Sequence, residues 1–246
     1  MPKHDTRLKY KLPANNNGND LVLNKNFSQW DDIIDMDLRM HCGVNYERGL
    51  AKELMQSCNK HKKRFERKTE ARNIIVLVHP FYLHLTHMEE LGNEQVKKEA
   101  DDYLKTLMNF LKLARDRSKL GIAAFETPHH YAAATSLLLE EGLIDKVVFT
   151  EFDRGIPLKI HELDEFRNHF TYFGGMYNRL CLSTAIRMMQ TTSSLAQVLV
   201  IPELVLDSPQ DYKETLRTSS IIEVYSPLRG IQLEKIVGEF NLGVQN

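Results

Sequence analysis

The stretch Phe170-Thr-Tyr-Phe-Gly-Gly-Met-Tyr-Asn-Arg-Leu-Cys-Leu-Ser-Thr-Ala-Ile-Arg-Met-Met189 decides the reading of the fold. Its first four residues are aromatic or β-branched, as in a strand, and its second half sets Leu182, Ala185, Ile186 and Met189 at helical spacing. Between the halves, Gly174 and Gly175 predict a break in the strand, with backbone free to turn and to approach a ligand. A helix entered this way offers unpaired N–H groups and a partial positive charge. Gly174, Gly175, Met176, Tyr177, Asn178 and Arg179 are therefore the candidate ligand-binding residues, suited to a small anionic molecule. Cys181 falls in the first turns of that helix, where the dipole and Arg179 favour the thiolate. A cysteine among Leu180, Leu182, Ala185 and Ile186 equally fits inert core.

Working outward, strand-sized apolar runs alternate with helix-period segments. The runs are Ile74–Val78, Ile122–Phe125, Val147–Thr150, Phe170–Phe173, Val198–Ile201 and Ile221–Tyr225. Helices are expected near 93–117, 129–141, 177–190, 208–216 and 228–240, the second opened by Thr127 as cap and Pro128 at the first helical position. This alternation predicts an α/β, Rossmann-like three-layer sandwich with a mostly parallel six-stranded sheet. Residues 1–26, with Pro13 and the Asn15–Asn19 run, are expected as a flexible leader. Residues 27–72 are expected as a helical extension, with a short helix capped at Ser28 and a long basic one from Glu47 to Arg72. Residues 73–246 are then the α/β domain.

Thirty-two basic and thirty-three acidic residues leave a net charge of −1, which supports no global attraction to nucleic acid. The local exception is Lys60–Lys68, a basic patch that suits a protein partner. No apolar run reaches the ~20 residues of a membrane span. Three cysteines make no disulfide framework, and the first thirty residues contain no signal-type apolar core, so a soluble, cytoplasmic protein is expected. Phosphate-loop, dinucleotide and serine-elbow motifs are absent, and no cofactor is indicated.

In parallel α/β sheets, ligands meet the carboxyl ends of the strands. Those ends carry His79, with His84 and His87; Glu126, with His129 and His130; Glu151, Asp153 and Arg154; then the glycine pair and Cys181. Five of the ten histidines fall in the first two groups. They could hold a divalent ion with Glu126 or Asp153, which makes a metal enzyme one of the open readings. His41, Cys42, Cys58 and His61 fit no common zinc spacing.

The order Phe173-Gly174-Gly175, Cys181-Leu182, Thr184-Ala185, Val198–Ile201 and Asp207-Ser208 resembles the isochorismatase-like cysteine hydrolases. The resemblance implies a cysteine nucleophile at Cys181, six residues after Gly175, and hydrolysis of a small amide or related anionic substrate. In that family an aspartate ends the first strand and a lysine assists from mid-chain. Here the first strand ends in His79-Pro80, and Lys159 lacks the matching context. His79 is the candidate substitute base, with Glu126 or Asp153 orienting its ring and amides near Met176–Asn178 facing an oxyanion. A noncatalytic binding or protein-interaction module on the same fold is the alternative.

Overall fold

The computed structural model describes residues 24–34, 48–68, 70–86, 92–115, 120–151, 155–167, 169–176, 181–192 and 198–206. Five strands are formed within them: β1 (Asn73–Val78), β2 (Leu120–Glu126), β3 (Lys146–Phe149), β4 (Phe170–Met176) and β5 (Val198–Leu206). Every pairing is parallel, in the order β3-β2-β1-β4-β5. This is the doubly wound order, in which the chain reverses direction across the sheet between β1 and β4. The expected strand Ile221–Tyr225 and the helices near 208–216 and 228–240 lie outside the described residues.

The helices are α1 (Arg48–Phe65), α2 (Tyr82–Thr86), α3 (Glu94–Arg115), α4 and α5 (Ser183–Thr192). Continuous α4 comprises Pro128–His130, a π-helical segment Tyr131–Thr135, and Ser136–Glu140. Alternation along the strands sends residues to opposite faces, and both faces are covered. On one face, Ile75 and Leu77 of β1 and Ile122 and Ala124 of β2 pack with Leu54 of α1, Leu107 of α3 and Leu138 of α4. On the other, Ile74, Val76, Val78, Ala123 and Phe125 pack with Phe166, Leu182, Ile186 and Met189. The result is a three-layer α/β sandwich. No helix among the described residues is long and apolar enough to cross a membrane.

The expected break at the two glycines does not occur, and β4 runs through both to Met176. Their small size serves strand packing instead. Gly175 has φ +115, and a Cβ there would stand 2.5 Å from the Val78 amide nitrogen and closer still to its carbonyl oxygen. A Cβ on Gly174 would meet Leu204 Cβ at 2.7 Å, where the pairing of β4 with β5 shifts register between Phe173–Val200 and Gly175–Val205.

The N-terminal elements join the first core. Lys25–Trp30 forms a 3₁₀ turn whose cap is Asn24 rather than the expected Ser28, because the Asn24 side chain accepts the Asn26 N–H. Phe27 inserts beside His61 and Tyr131, with ring centroids 5.1 and 6.0 Å away. Asn24 and Asn26, within the stretch expected as leader, both donate to Glu140 Oε1, at 2.5 and 2.9 Å. The helix expected to continue to Arg72 ends at Phe65.

Candidate functional site

The carboxyl ends of β1, β2 and β3 converge on a buried group of polar side chains. β2 ends at Glu126, fully buried, followed by Thr127, whose hydroxyl accepts the His130 N–H and so caps α4. One helical turn then returns His130 to Glu126. Glu126 Oε1 accepts the Thr127 N–H at 2.9 Å and faces His130 Nδ1 at 3.1 Å. Its Oε2 accepts the Thr135 hydroxyl at 3.0 Å. A carboxylate taking these donors accepts in the same way from His130 Nδ1–H, which leaves Nε2 on the far side of the ring. The Thr86 hydroxyl at the end of α2 lies 2.9 Å from that Nε2. Thr86, His130 and Glu126 thus form a hydroxyl–imidazole–carboxylate series, with Thr86 only 4% exposed.

His79 stands beside this series. Its φ of +43 makes it the one non-glycine residue with positive φ among the described residues. Such a conformation is uncommon for a non-glycine residue, with histidine among the side chains that adopt it more often, and it recurs at functional sites. The chain is held by His79 N–H donating to Phe125 O at 2.9 Å and Tyr82 N–H to His79 O at 3.1 Å. The fully buried ring has Nε2 2.8 Å from Thr150 Oγ1, while Nδ1 has no hydrogen-bond partner among the described residues. Tyr82 stacks on it at 6.0 Å and meets His130 edge-on at 5.5 Å, with the two imidazoles 6.2 Å apart. Burial, against the opposing pull of Glu126, pushes the His79 pKa down to about 4, so the ring is neutral at physiological pH. Burial does the same to His84, also to about 4, and neither of its ring nitrogens has a partner among the described residues. The Tyr103 phenol is raised by burial and then by Glu126, and its hydroxyl is likewise unpartnered among the described residues.

Cys181 lies elsewhere. It is 3% exposed in the second core with Val78, Leu182, Ala185 and Ile186. The chain at Gly155, φ +63, passes directly over it, so that a Cβ there would stand 2.6 Å from the Cys181 carbonyl oxygen. Neither ring nitrogen of His79 hydrogen-bonds this thiol. The two residues follow the parity of β1: Val78 faces the cysteine, and His79, one step on, turns to the opposite side with Tyr82 and His130. Gly174, Gly175 and Met176 are buried inside β4, and Met176 Sδ accepts the Leu83 N–H at 3.3 Å. Tyr177, Asn178, Arg179, His87, Cys42 and Asp153 lie outside the described residues. Among the described residues no three His, Cys, Asp or Glu side chains are grouped to hold a metal.

Sequence reasoning placed His79, Glu126 and His130 at strand ends but missed Thr86, Thr135, Thr150 and Tyr103. Glu126 and His130 are four residues apart around a capping threonine, a local signal. Thr86 is 44 residues from His130 and Thr150 is 71 from His79, separations that only the sheet order closes. Of the basic patch, Lys62 is buried over the Phe149 ring, 3.3 Å from Glu162 and 3.6 Å from Glu66, while Lys60, Lys63, Arg64 and Lys68 remain exposed. A cleft of about 470 Å³ opens at the opposite, amino end of the sheet between Ile74, Ile122, Asp145, Lys146 and Phe166. Two of its carboxylates are engaged by strand amides, Glu66 accepting Val147 N–H and Asp145 accepting Ile122 N–H, while Glu165 pairs with Lys146.

No protein-family model matches the chain, and no curated protein matches it. Among solved structures, an isochorismatase-like hydrolase from Alkaliphilus metalliredigens is similar at 10% identity and a TM-score of 0.44, covering 69% of this chain and 99% of that one. A likeness of this degree assigns no activity.

Proposed function

We propose that the protein hydrolyses a small ester or amide at the carboxyl ends of β1 and β2, with His130 as general base and neutral His79 as the donor that holds the carbonyl oxygen. The observation that carries this reading is His79: held at positive φ, fully buried, anchored through one nitrogen, and with the other unpartnered among the described residues. With Thr150 Oγ–H donating to Nε2, the proton sits on Nδ1. That N–H is a fixed dipole able to meet negative charge as it develops on a carbonyl oxygen. A neutral imidazole can perform this task, because its one N–H donates to the developing oxyanion. His130, its tautomer set by Glu126, accepts the proton of the attacking group.

The substrate class follows from the same surroundings. A buried carboxylate beside the reacting centre disfavours an anionic group there, so the acyl portion is uncharged and any negative charge lies further out, toward the β4 end. The small-amide hydrolysis implied by the family resemblance is kept, while the thiol is given no part in it. The noncatalytic alternative has less support, since Lys62 spends its charge within the fold.

The test is turnover of 4-nitrophenyl acetate and 4-nitroacetanilide by the native chain, His79→Gly and Cys181→Ala. Glycine adopts positive φ freely and carries no donor. Loss of one oxyanion donor is expected to lower kcat by about 10² to 10³, with Cys181→Ala within twofold of native. Equal turnover in folded His79→Gly, or no turnover by the native chain, overturns the reading; the latter leaves the binding-module alternative.

A further inference from the structure

We infer that Thr86 is the nucleophile of this site, activated by His130 and positioned through Glu126. The inference rests on the hydrolytic reading above and adds the covalent step. Three observations carry it. The contacts Thr86 Oγ1 to His130 Nε2 at 2.9 Å and His130 Nδ1 to Glu126 Oε1 at 3.1 Å give the connectivity in which an imidazole takes a hydroxyl proton and a carboxylate holds the imidazole. Glu126 is oriented toward His130 by two further donors, the Thr127 amide on Oε1 and the Thr135 hydroxyl on Oε2, and as an acceptor it favours the proton on His130 Nδ1. The Nδ1 of His79, unpartnered among the described residues, lies on a ring 6.2 Å from that of His130. A nucleophile–base pair and an oxyanion donor therefore adjoin.

In the first step Thr86 Oγ bonds to the acyl carbon, its proton passes to His130 Nε2, and the carbonyl electron pair moves onto the oxygen facing His79. As the pair returns, the bond to the leaving alcohol or amine breaks, and that group takes the proton from His130. Water then attacks the acyl-threonine ester and gives a proton to His130. The carboxylic acid departs, and the proton returns to Thr86 Oγ. No oxidant, reductant or metal enters the balance.

The experiment is labelling of the full chain with an alkyl fluorophosphonate, in which the same oxygen attacks phosphorus and fluoride leaves. Intact mass and peptide mapping locate the adduct. With Thr86 buried, entry of the reagent requires the cluster to open, so labelling is followed over hours. One adduct on Thr86 is expected in the native chain and in Thr86→Ser, with at least a hundredfold slower labelling in His130→Gln. Glu126→Gln is expected to slow labelling and Glu126→Asp to restore part of it, a rescue that a purely structural role would not give. Circular dichroism shows which variants are folded, and Thr86→Ser keeps the test open if Thr86→Ala is not. Absence of an adduct on Thr86, or its undiminished formation in folded His130→Gln, overturns the assignment. Ester turnover lost in His79→Gly but intact in folded Thr86→Ala removes Thr86 while leaving the hydrolytic reading in place.

Discussion

Lowering the pH from about 7.5 to 4.5 is expected to remove a specific part of the folding free energy, and His79 allows that part to be isolated. In the unfolded chain its imidazole titrates near 6.5, whereas burial in the fold lowers it to about 4. A depressed histidine pKa means that the unfolded chain binds a proton which the folded one refuses. Stability is therefore intact above 6.5, falls as pH drops through the interval, and stops falling below 4. At pH 4.5 the unfolded imidazole is almost fully protonated and the folded one mostly neutral. The linkage integral then gives a loss of about 2 to 3 kcal/mol for this one residue. His84, with a pKa of about 4 from burial alone, contributes a similar loss. Urea unfolding of the native chain and of His79→Asn at both pH values yields a difference of differences, in which the cost of the substitution itself cancels. The acid-induced loss should be about 2 to 3 kcal/mol smaller in His79→Asn. If the variant loses as much stability as the native chain, His79 is not held neutral by burial, and the argument for its role as a neutral donor fails with it.

Other expectations follow from the packing. Gly175→Ala places a Cβ against the Val78 backbone in the central strand; it should cost about 3 kcal/mol or more, read from the urea midpoint, and a loss under about 1 kcal/mol would contradict the close approach of β1 and β4. Asn24→Ala removes one of the donors on Glu140 and should cost about 1 to 2 kcal/mol at neutral pH. Although burial opposes it, hydrogen bonds from Asn24, Asn26 and His61 hold the Glu140 carboxyl below its usual value. That stability is present above the ordinary carboxylate range and lost as pH falls through the lowered value, so Asn24→Ala should show a shallower loss below pH 4.5. Cys58, whose thiol burial pushes up, and Cys181 should alkylate with iodoacetamide only as fast as the protein opens. Rapid modification of Cys181 in the folded chain would restore the thiol mechanism.

The strands were readable because they are buried on both faces, which leaves uninterrupted runs such as Ile74–Val78 rather than alternation. Thr127-Pro128 likewise announced the start of α4 through purely local chemistry. Gly174-Gly175 misled because two glycines signal a turn and a close backbone approach equally well. Which of the two applies depended on Val78 and Leu204, residues on other strands. Cys181 and His79 both sit near strand ends in sequence, yet Cys181 is buried in the core of Val78 and Leu182 while His79 stacks on Tyr82, which belongs to the other core. The Thr86 contact depended on the fold bringing the end of α2 to His130, 44 residues away, which no local pattern encodes.

The π-helical segment Tyr131–Thr135 sets a phase. One residue of an α-helix corresponds to about 100° of rotation, and a π turn accommodates one residue more than the regular helix. Deleting a single residue within it would leave Glu126 and His130 joined through the first turn. Beyond the deletion, the segment would close as regular α-helix, and Glu140 would keep its direction toward Asn24 and His61. A deletion within Ser136–Glu140, where the helix is already regular, would instead turn Glu140 by about 100° off those partners. The extra residue is therefore slack on a single shaft: the helix can lose one residue inside the π turn and keep both ends in alignment, and can lose none beyond it.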